Sequence, residues 1–254
     1  MRTALLGPPG TFSEEALLAA RPDGFEPVYA PTVYDAVMAV HHGEVERSFV
    51  PIENSLEGSV NATLDALAVE TREIEIVGEA IHPIRHCLIA ARHLELSELE
   101  AVVSHPQANG QCARFLRERP WGALGTRLAA ELYRCEILRA GVEDVPDNET
   151  RFVWLARAGA DRAASPGPWK TSLVFWGVGS SEPGWLVRCL SEFAFRGVNL
   201  TKIESRPRKQ GLGRYMFFVD LEGRESDGPV ADAVRGLSAH CEEVRALGSY
   251  PAAA

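Results

Sequence analysis

Short apolar segments alternate with capped, amphipathic segments over the first 157 residues, and this alternation limits the folds open to the chain. Thr11 with Glu14 and Thr32 with Asp35 have the spacing of helix starts, which predicts helices over residues 12–20 and 33–42. Further helices are predicted up to residue 67 and over "PQANGQCARFLRER". "ALGTRLAAELYRCEIL" is predicted as a strand that turns into a helix. Strands are predicted at residues 4–6, 28–30, 48–52, 87–91, 101–104 and 152–156. Strands alternating with helices favour an α/β domain with a largely parallel sheet.

A different order of elements follows "AGADRAASPGPWK", residues 158–170, which is rich in small residues and has the composition of a linker. Beyond it, strands are predicted at residues 171–178, 198–204, 214–221 and 244–248, with helices at 186–194 and 230–241. "RPRKQGLG" is predicted as the hairpin turn between the middle strands. The order β-α-β-β-α-β is that of an α+β, ferredoxin-like domain.

Composition excludes several classes of protein. The 254 residues are 46% hydrophobic and 24% charged, which is typical of a soluble globular chain. A net charge of -9 disfavours nucleic acid or an anionic membrane as partner, and no apolar stretch is long enough to span a bilayer. The five cysteines form no C-x-x-C pair, and the N-terminal segment is too short for a signal peptide. We therefore expect a cytoplasmic protein, which disfavours a solute-binding protein of transport.

Three polar clusters follow predicted strand ends: "GPPGTFSEEA", "ENSLEGS" and "SHPQANGQC". Ligands of open α/β sheets bind beyond the carboxyl ends of the strands, and helix N-termini favour anions. Thr150 and Arg151 stand where the apolar strand 152–156 enters the core. A buried guanidinium needs an anion, which either the protein or a ligand supplies.

Each cluster also has a purely structural explanation. Thr11 and Ser13 could only cap a helix, and Asn54 and Ser55 could only shape a turn. Gln107 and Gln111 could lie on a solvated helix face. Arg151 could pair with Asp147 or Glu149. The functional interpretation depends on the joint placement of these residues at strand ends.

Other motifs are weaker. "GVGSSEPG" at residue 177 lacks the third glycine of a dinucleotide-binding turn, and no phosphate-binding G-x-x-x-x-G-K-[ST] occurs. His82 and His86 are four residues apart, but Pro83 disfavours one helical face, so a zinc site is doubtful.

The ordered motifs "GPPGTFSEEA", "VPIENSLEGSV", "HPQANGQC" and "NETRF" resemble bacterial prephenate dehydratase. "EPGWLV", "NLTKIESRP" and "YMFFVDLEG" resemble its C-terminal ACT regulatory domain. The resemblance implies two catalytic lobes like those of type II periplasmic binding proteins, with the active site between them. It assigns residues 1–157 to the catalytic domain, with lobe one at about 1–80 and 150–157 and lobe two at about 81–149. Residues 171–250 would form the ACT domain.

The resemblance further implies conversion of prephenate to phenylpyruvate, carbon dioxide and water without cofactor or metal. Thr150 corresponds to the essential threonine and Arg151 to its partner. The implied prephenate contacts are Thr11, Ser13, Asn54, Ser55, Gln107 and Gln111. L-Phenylalanine is the implied effector, with a homodimer or homotetramer formed through ACT domains. Its implied contacts are Gly184, Leu186, Val187, Glu204, Ser205, Arg206 and Pro207.

One departure from the family lies at Pro120-Trp121, where members have an additional strand and helix that begin with a Ser-Thr-Ala motif lining the cleft. About twenty residues are absent on typical element lengths. We expect the sheet to close over this gap, with "WGALG" pairing beside "AVVSH". The alternative function is a catalytically weakened or inactive paralogue that serves as an amino-acid sensor.

Overall fold

The computed structural model describes residues 1–20, 24–103, 121–160, 167–177 and 182–253. These residues form two compact units, each built from two stretches of chain. One unit contains Met1–Leu64 and Ala80–Val153, and the other contains Asp65–Glu79 and Trp154–Ala254. The predicted domain boundaries given above remain predictions.

The first sheet has the strand order β2-β1-β3-β10-β5, with the short β4 beside β3. Its strands are β1 (Arg2–Leu6), β2 (Glu26–Ala30), β3 (Arg47–Asn54), β4 (Gly58–Ser59), β5 (Ile74–Pro83) and β10 (Glu149–Arg157). Strand β1 runs parallel to both β2 and β3, as predicted. The carboxyl ends of β1 and β3 therefore lie at the same edge of the sheet, where the polar clusters after them begin.

Two of these strands differ from the prediction. Strand β5 was not predicted; it is an edge strand whose apolar pattern is interrupted by Gly78 and Glu79. Strand β10 begins at Glu149 and not at residue 152, so Thr150 and Arg151 lie within the strand and not before it. The polar start of β10 conceals its strand character because its partners there are polar groups at the end of β3.

The helices of this part of the chain are α1 (Phe12–Ala20), α2 (Val33–His41) and α3 (Asn61–Asp65), and α3 continues into a π-helical turn (Ala66–Glu70). The hydroxyl of Thr32 caps α2 by accepting from the Asp35 amide at 3.1 Å. Only half of the predicted capping box at α1 forms. The Glu14 amide donates to the Thr11 hydroxyl at 3.4 Å, but the Glu14 carboxylate accepts from the Gly10 amide at 2.6 Å.

The second sheet has the order β7-β8-β6-β9. Its strands are β6 (Cys87–Ala90), β7 (Ala101–Val103), β8 (Trp121–Gly125) and β9 (Glu136–Ala140), with α4 (Arg127–Tyr133) after β8 and a 3₁₀ turn (Leu96–Glu98) before β7. Strand β6 runs antiparallel to both β8 and β9, so the prediction of a largely parallel sheet is wrong here. Strands β8 and β9, on either side of α4, run in the same direction, but they flank β6 and do not pair with each other. The local sequence does not specify this placement. Strand β9 was also missed.

The predicted closure over the gap is confirmed, because β7 and β8 pair directly and in parallel. Ala101 is opposite Trp121 and Val103 is opposite Ala123. Trp121 is partly buried and packs against the core of this sheet. The predicted helix over "PQANGQCARFLRER" lies outside the described residues.

In the other unit, the described elements follow the predicted order β-α-β-β-α-β. They are β11 (Trp169–Trp176), α5 (Trp185–Ala194), β12 (Leu200–Pro207), β13 (Tyr215–Glu222), α6 (Gly228–Ser238) and β14 (Glu243–Pro251). The antiparallel sheet has the order β12-β13-β11-β14. Both helices contribute to a core with the strands, which includes Phe175, Phe193 and Val219. Strand β12 extends to Pro207, so the predicted turn at residue 206 began two residues too early.

The segment Asp65–Glu79 packs against this C-terminal sheet. Gly248 in β14 has a φ of 144° and lies against the backbone of Ile76, where a Cβ atom would collide with the Ile76 carbonyl oxygen. Lys170 in β11 forms an ion pair with the buried Glu79 at 2.8 Å. The second unit therefore includes a piece of chain that directly follows α3.

Candidate active site

The end of β3 lies against the start of β10, and this junction brings together Asn54, Ser55 and Thr150. The Asn54 side-chain amide donates to the Thr150 hydroxyl at 2.9 Å and to the Asn148 side-chain oxygen at 2.8 Å. It also approaches the Glu149 carbonyl oxygen at 3.1 Å. Thr150 is buried, so its hydroxyl is held by the protein and not by bulk water. Three predicted site residues thus meet at one point.

The same asparagine shapes the turn that follows β3. Its side-chain oxygen accepts from the amides of Leu56 and Glu57, both at 2.9 Å. This is the local hydrogen bonding by which asparagine favours turns. The structural and functional explanations of Asn54 are therefore compatible, since one end of the amide holds the turn and the other end holds Thr150.

Ser55 joins the two strands from the other side. Its amide donates to the Glu149 carbonyl at 2.9 Å, and its hydroxyl accepts from the Glu149 amide at 3.0 Å. The Ser55 hydroxyl also lies 3.3 Å from the Asn148 side-chain oxygen. Because Ser55 is bonded to the Glu149 backbone and the Asn148 side chain, the position of the adjacent Thr150 is fixed by several bonds.

Arg151 has a protein anion as a partner. Its guanidinium lies 3.2 Å from the carboxylate of Glu53, and its side chain is 11% exposed. Asp147 and Glu149 were the protein partners expected from the sequence, and Glu53 was not among them. Glu53 and Asn148 are the residues that sequence reasoning missed. Asn148 stands within the quoted motif "NETRF", so the motif carried a signal, whereas Glu53 is distant in sequence and only strand pairing reveals it.

Thr11 and Ser13 are buried at the start of α1, after the carboxyl end of β1. The Thr11 hydroxyl donates to the Leu6 carbonyl at 2.9 Å. The preceding loop is held by the second sheet, because Thr126 donates to the Gly10 carbonyl and Tyr133 to the Pro9 carbonyl, both at 2.8 Å. Burial raises the pKa of the Tyr133 hydroxyl, which therefore stays a neutral donor. Gln107 and Gln111 lie outside the described residues.

The predicted effector residues fall on two elements of the C-terminal unit. Gly184 caps α5 with a φ of 80°, and in α5 Leu186 packs toward the core while Val187 is 67% exposed. Strand alternation divides the other four. Ser205 and Pro207 are exposed, whereas Glu204 and Arg206 are half-buried on the opposite face of β12. Arg206 forms a two-point ion pair with Asp65, at 3.1 and 3.0 Å.

No cluster of three or more His, Cys, Asp and Glu side chains suited to a metal ion occurs within the described residues. His82, considered above for zinc, lies in β5 with its Nε2 3.3 Å from Glu15. In the part of the chain that the structure describes, none of the helices combines the length and apolar character needed to cross a membrane.

Comparison with known proteins defines the class to which this fold and site belong. A family model described as prephenate dehydratase matches residues 3–121. A prephenate dehydratase of Amycolatopsis methanolica is 36% identical over 272 positions, covering 98% of this chain and 88% of the relative. The chain belongs to the prephenate dehydratase family. Its 254 residues are fewer than the 272 aligned positions, so the relative contains residues that this chain lacks.

Two solved structures cover nearly the whole chain. A prephenate dehydratase from Arthrobacter aurescens, in complex with L-Phe, has a TM-score of 0.86 and 35% identity over 99% of this chain and 90% of that one. GqqA, described as a novel type of quorum quenching acylase, has a TM-score of 0.84 and 32% identity over 99% of this chain and 98% of that one. Both similarities extend over 99% of this chain, which takes in both compact units.

Proposed function

We propose that this chain is a prephenate dehydratase of L-phenylalanine biosynthesis, in which Thr150 acts on the leaving hydroxyl group of prephenate. The observation that carries the proposal is the hydrogen bond of 2.9 Å from the Asn54 amide to the Thr150 hydroxyl, at the junction where the family's motifs meet. Relatives at 36% identity over almost the whole chain bear the name of this activity.

The reaction determines what the site has to supply. The ring of prephenate gains aromaticity as carbon dioxide and hydroxide leave, so the electrons balance without a redox cofactor. The departing hydroxide needs a proton or a strong hydrogen bond. A threonine hydroxyl is too weak an acid to give up its proton outright, and Thr150 therefore acts as a hydrogen-bond donor or proton relay.

The Asn54 amide orients that donor. An amide N–H that donates to Oγ1 of Thr150 occupies one acceptor position of the hydroxyl and leaves its hydrogen free to point elsewhere. The hydroxyl hydrogen is thus available to the substrate. Asn54 is a positioning residue in this scheme, and the hydrogen bonds of Ser55 and Asn148 keep the end of β3 beside the start of β10.

Prephenate carries two carboxylates, which need donors in a chain of net charge -9. The N-terminus of α1 with Thr11 and Ser13, the turn after Asn54, and Arg151 supply them in this proposal. Glu53 pairs with Arg151, because a buried guanidinium without an anion is costly. Gln107 and Gln111 complete the proposed contacts.

The C-terminal unit is proposed to be an ACT domain that binds L-phenylalanine through the motif around Ser205 and the start of α5. Its β-α-β-β-α-β order supports this assignment, as does the L-Phe complex of the Arthrobacter aurescens relative. The protein acts in the cytoplasm as a homodimer or homotetramer joined through these domains.

The test is a discontinuous assay of phenylpyruvate formation from prephenate by the purified protein. We expect turnover by the wild type and a loss of about a hundredfold or more in Thr150→Ala, on the general acid–base scale. Thr150→Ser, which keeps the hydroxyl, is the matched control. A folded wild type without turnover would favour the sensor hypothesis, and near-normal kcat in Thr150→Ala would remove Thr150 from the mechanism.

A second candidate function is that of an acylase, which the similarity to GqqA favours. Hydrolysis of an N-acyl amide by the wild type, with no phenylpyruvate formed from prephenate, would support it. The same Thr150→Ala and Thr150→Ser pair would show whether one site serves that reaction.

A further inference from the structure

Two cysteine side chains from different elements meet in the C-terminal unit. Cys189 lies in α5, and Cys241 lies in the connection between α6 and β14. Their sulfur atoms are 3.8 Å apart, although the residues are 52 positions apart in the sequence. Both residues belong to the second compact unit, so the contact is internal to that unit. Two thiols at this distance need only a small movement to form a covalent bond.

The connection that carries Cys241 is held on both sides of the cysteine. The Trp185 indole donates to the His240 carbonyl at 2.7 Å, and the Glu242 amide donates at 2.9 Å to the carbonyl of the last residue of β11. Trp185 stands four residues before Cys189 and packs in the same core, so the helix that carries one cysteine also fixes the backbone beside the other. The two sulfur atoms are therefore kept together by hydrogen bonds and packing in the reduced protein.

The two thiols differ in exposure and in acidity. Cys189 is fully buried, whereas Cys241 is half-buried and can be reached by a small molecule. Hydrogen bonding to Cys241 lowers the pKa of the Cys189 thiol. The same hydrogen bond, together with burial, raises the pKa of Cys241. Cys189 is thus the better source of a thiolate, and Cys241 is the sulfur that an oxidant meets first.

We propose that Cys189 and Cys241 form a redox-active dithiol, a modification site at which a peroxide converts two thiols into a disulfide. The inference does not depend on the dehydratase activity, since it concerns only the C-terminal unit. In reducing compartments, disulfides of this kind are transient and serve as redox sensors. The free thiols described above are the reduced state of the proposed sensor.

The reaction takes place in two balanced steps. Hydrogen peroxide transfers one oxygen atom to the Cys241 sulfur, its O–O bond breaks, one water leaves, and the cysteine becomes a sulfenic acid. The Cys189 thiolate then attacks that sulfur, so that the S–S bond forms and the S–O bond breaks. The hydroxide takes up the proton of the Cys189 thiol and leaves as a second water. The two sulfurs have lost two electrons to the peroxide, and a thiol reductant returns them.

The geometry indicates that the fold accommodates the bond. The sulfur atoms have to approach from 3.8 Å to about 2.0 Å. Cys241 lies outside the neighbouring helix and strand, so its side chain can make this approach without breaking the hydrogen bonds of either element. The bond would link α5 to the α6–β14 connection. It closes a long loop and restricts the unfolded chain, so the oxidised protein should be the more stable form.

The experiment treats the native, full-length protein with a small excess of hydrogen peroxide, blocks the remaining thiols and digests the product with trypsin. Cleavage after arginine places Cys189 in the peptide 189–196 and Cys241 in the peptide 236–245, with one cysteine in each. Mass spectrometry then detects the linked pair directly. Cys241→Ser is the test variant, and Cys135→Ser is the matched control, because Cys135 is also half-buried between a helix and a strand.

We expect the linked peptides 189–196 and 236–245 from the wild type and from Cys135→Ser, and their loss after treatment with dithiothreitol. In Cys241→Ser the link should be absent and Cys189 should stay reduced, because its sulfur is buried. Oxidation should raise the Tm of the wild type by about 5–10 °C, on the scale of a disulfide that closes a long loop. Peroxide should leave the Tm of Cys241→Ser unchanged.

Each contrary result overturns the proposal. One is a pair that stays reduced while free glutathione in the same solution is consumed, and another is a Cys241 that proceeds to sulfinic acid without forming the link. A link that forms only in denaturant would show that the folded protein does not bring the sulfurs together, and a Tm that does not rise would show that the fold does not accommodate the bond. If Cys241→Ser does not fold, the peptide map of the wild type still decides the matter.

Discussion

Replacing Asn54 by aspartate tests how Thr150 is oriented, because the substitution changes one donor into an acceptor with almost no change in shape. The Asn54 amide donates to Thr150 at 2.9 Å and to Asn148 at 2.8 Å, while its oxygen accepts from the amides of Leu56 and Glu57. In Asn54→Asp the side chain still accepts from the amides of Leu56 and Glu57, but it can no longer donate to Thr150 and Asn148.

Two consequences follow for the energy of the site. The half-buried Asn148 side-chain oxygen loses a donor and faces a carboxylate, whereas the exposed Glu149 carbonyl keeps the bond from the Ser55 amide. The net loss of one such hydrogen bond costs about 1 kcal/mol. Thr150 can respond by rotating its hydroxyl hydrogen toward the new carboxylate. That rotation restores one hydrogen bond, but it turns the hydrogen away from the substrate.

We therefore expect kcat to fall about 10²- to 10³-fold in Asn54→Asp, the loss typical of removing one positioned donor from a reacting oxygen. The free energy of unfolding should fall by about 1 kcal/mol. The assay is steady-state phenylpyruvate formation, with thermal unfolding measured in parallel. Asn199→Asp, which makes the same charge change at an exposed position after α5, is the matched control. A folded Asn54→Asp protein with kcat within about threefold of wild type would refute the orienting role of Asn54.

Three further perturbations test other parts of the structure. Arg151→Lys should raise KM for prephenate in steady-state kinetics, since the lysine ammonium can keep the ion pair with Glu53 but cannot bind a carboxylate through two hydrogen bonds. An unchanged KM with a lower Tm would show that Arg151 serves only the ion pair. Gly248→Ala should lower the free energy of unfolding by about 3 kcal/mol or more in denaturant unfolding, because a φ of 144° is combined with a collision of the new Cβ with Ile76. Gly197→Ala is the control: its φ is 67° and the space around it is open, so it should cost about 1 kcal/mol. The lowered pKa of Asp65 means that its charged form stabilises the fold above the usual carboxyl pKa of 3.8. The difference in Tm between wild type and Asp65→Asn should therefore be present at neutral pH and disappear as the pH falls below that value. A difference in Tm that persists in acid would contradict the ionic origin.

The sequence predicts the elements whose signals are local. Strands β1, β2 and β6 are short apolar runs, and α2 begins at the capping threonine that its spacing indicated. Strands β5 and β9 were missed because one lies at a sheet edge and the other alternates weakly between charged and apolar residues. Their strand character depends on neighbours that are distant in sequence.

The candidate site divides along the same line. The polar clusters at predicted strand ends and the family resemblance brought Asn54, Ser55 and Thr150 under consideration. The structure bonds Asn54 to Thr150 and Ser55 to the neighbouring Glu149. The sequence alone could not show that Glu53 is the anion beside Arg151, or that Arg206 pairs with Asp65, 141 positions away. Such pairings depend on strand register and on which face of β12 each residue occupies. Those properties follow from the packed sheet and not from the local residues.

The direct pairing of β7 with β8 determines what the shortened second sheet can contribute to the site. Had the missing strand left a gap, the sheet would present an open edge, and its hold on the loop before α1 would be weak. Instead β8 continues into α4, where Thr126 caps the helix and donates to the Gly10 carbonyl, and Tyr133 donates to the Pro9 carbonyl. These bonds fix the loop that carries Thr11 and leads into α1, so we expect this chain to lack only the donors of the Ser-Thr-Ala segment that the family resemblance implies. Each such donor to a charged group is worth about 1.5–3 kcal/mol, a cost that falls on prephenate binding and leaves the Asn54–Thr150 geometry intact.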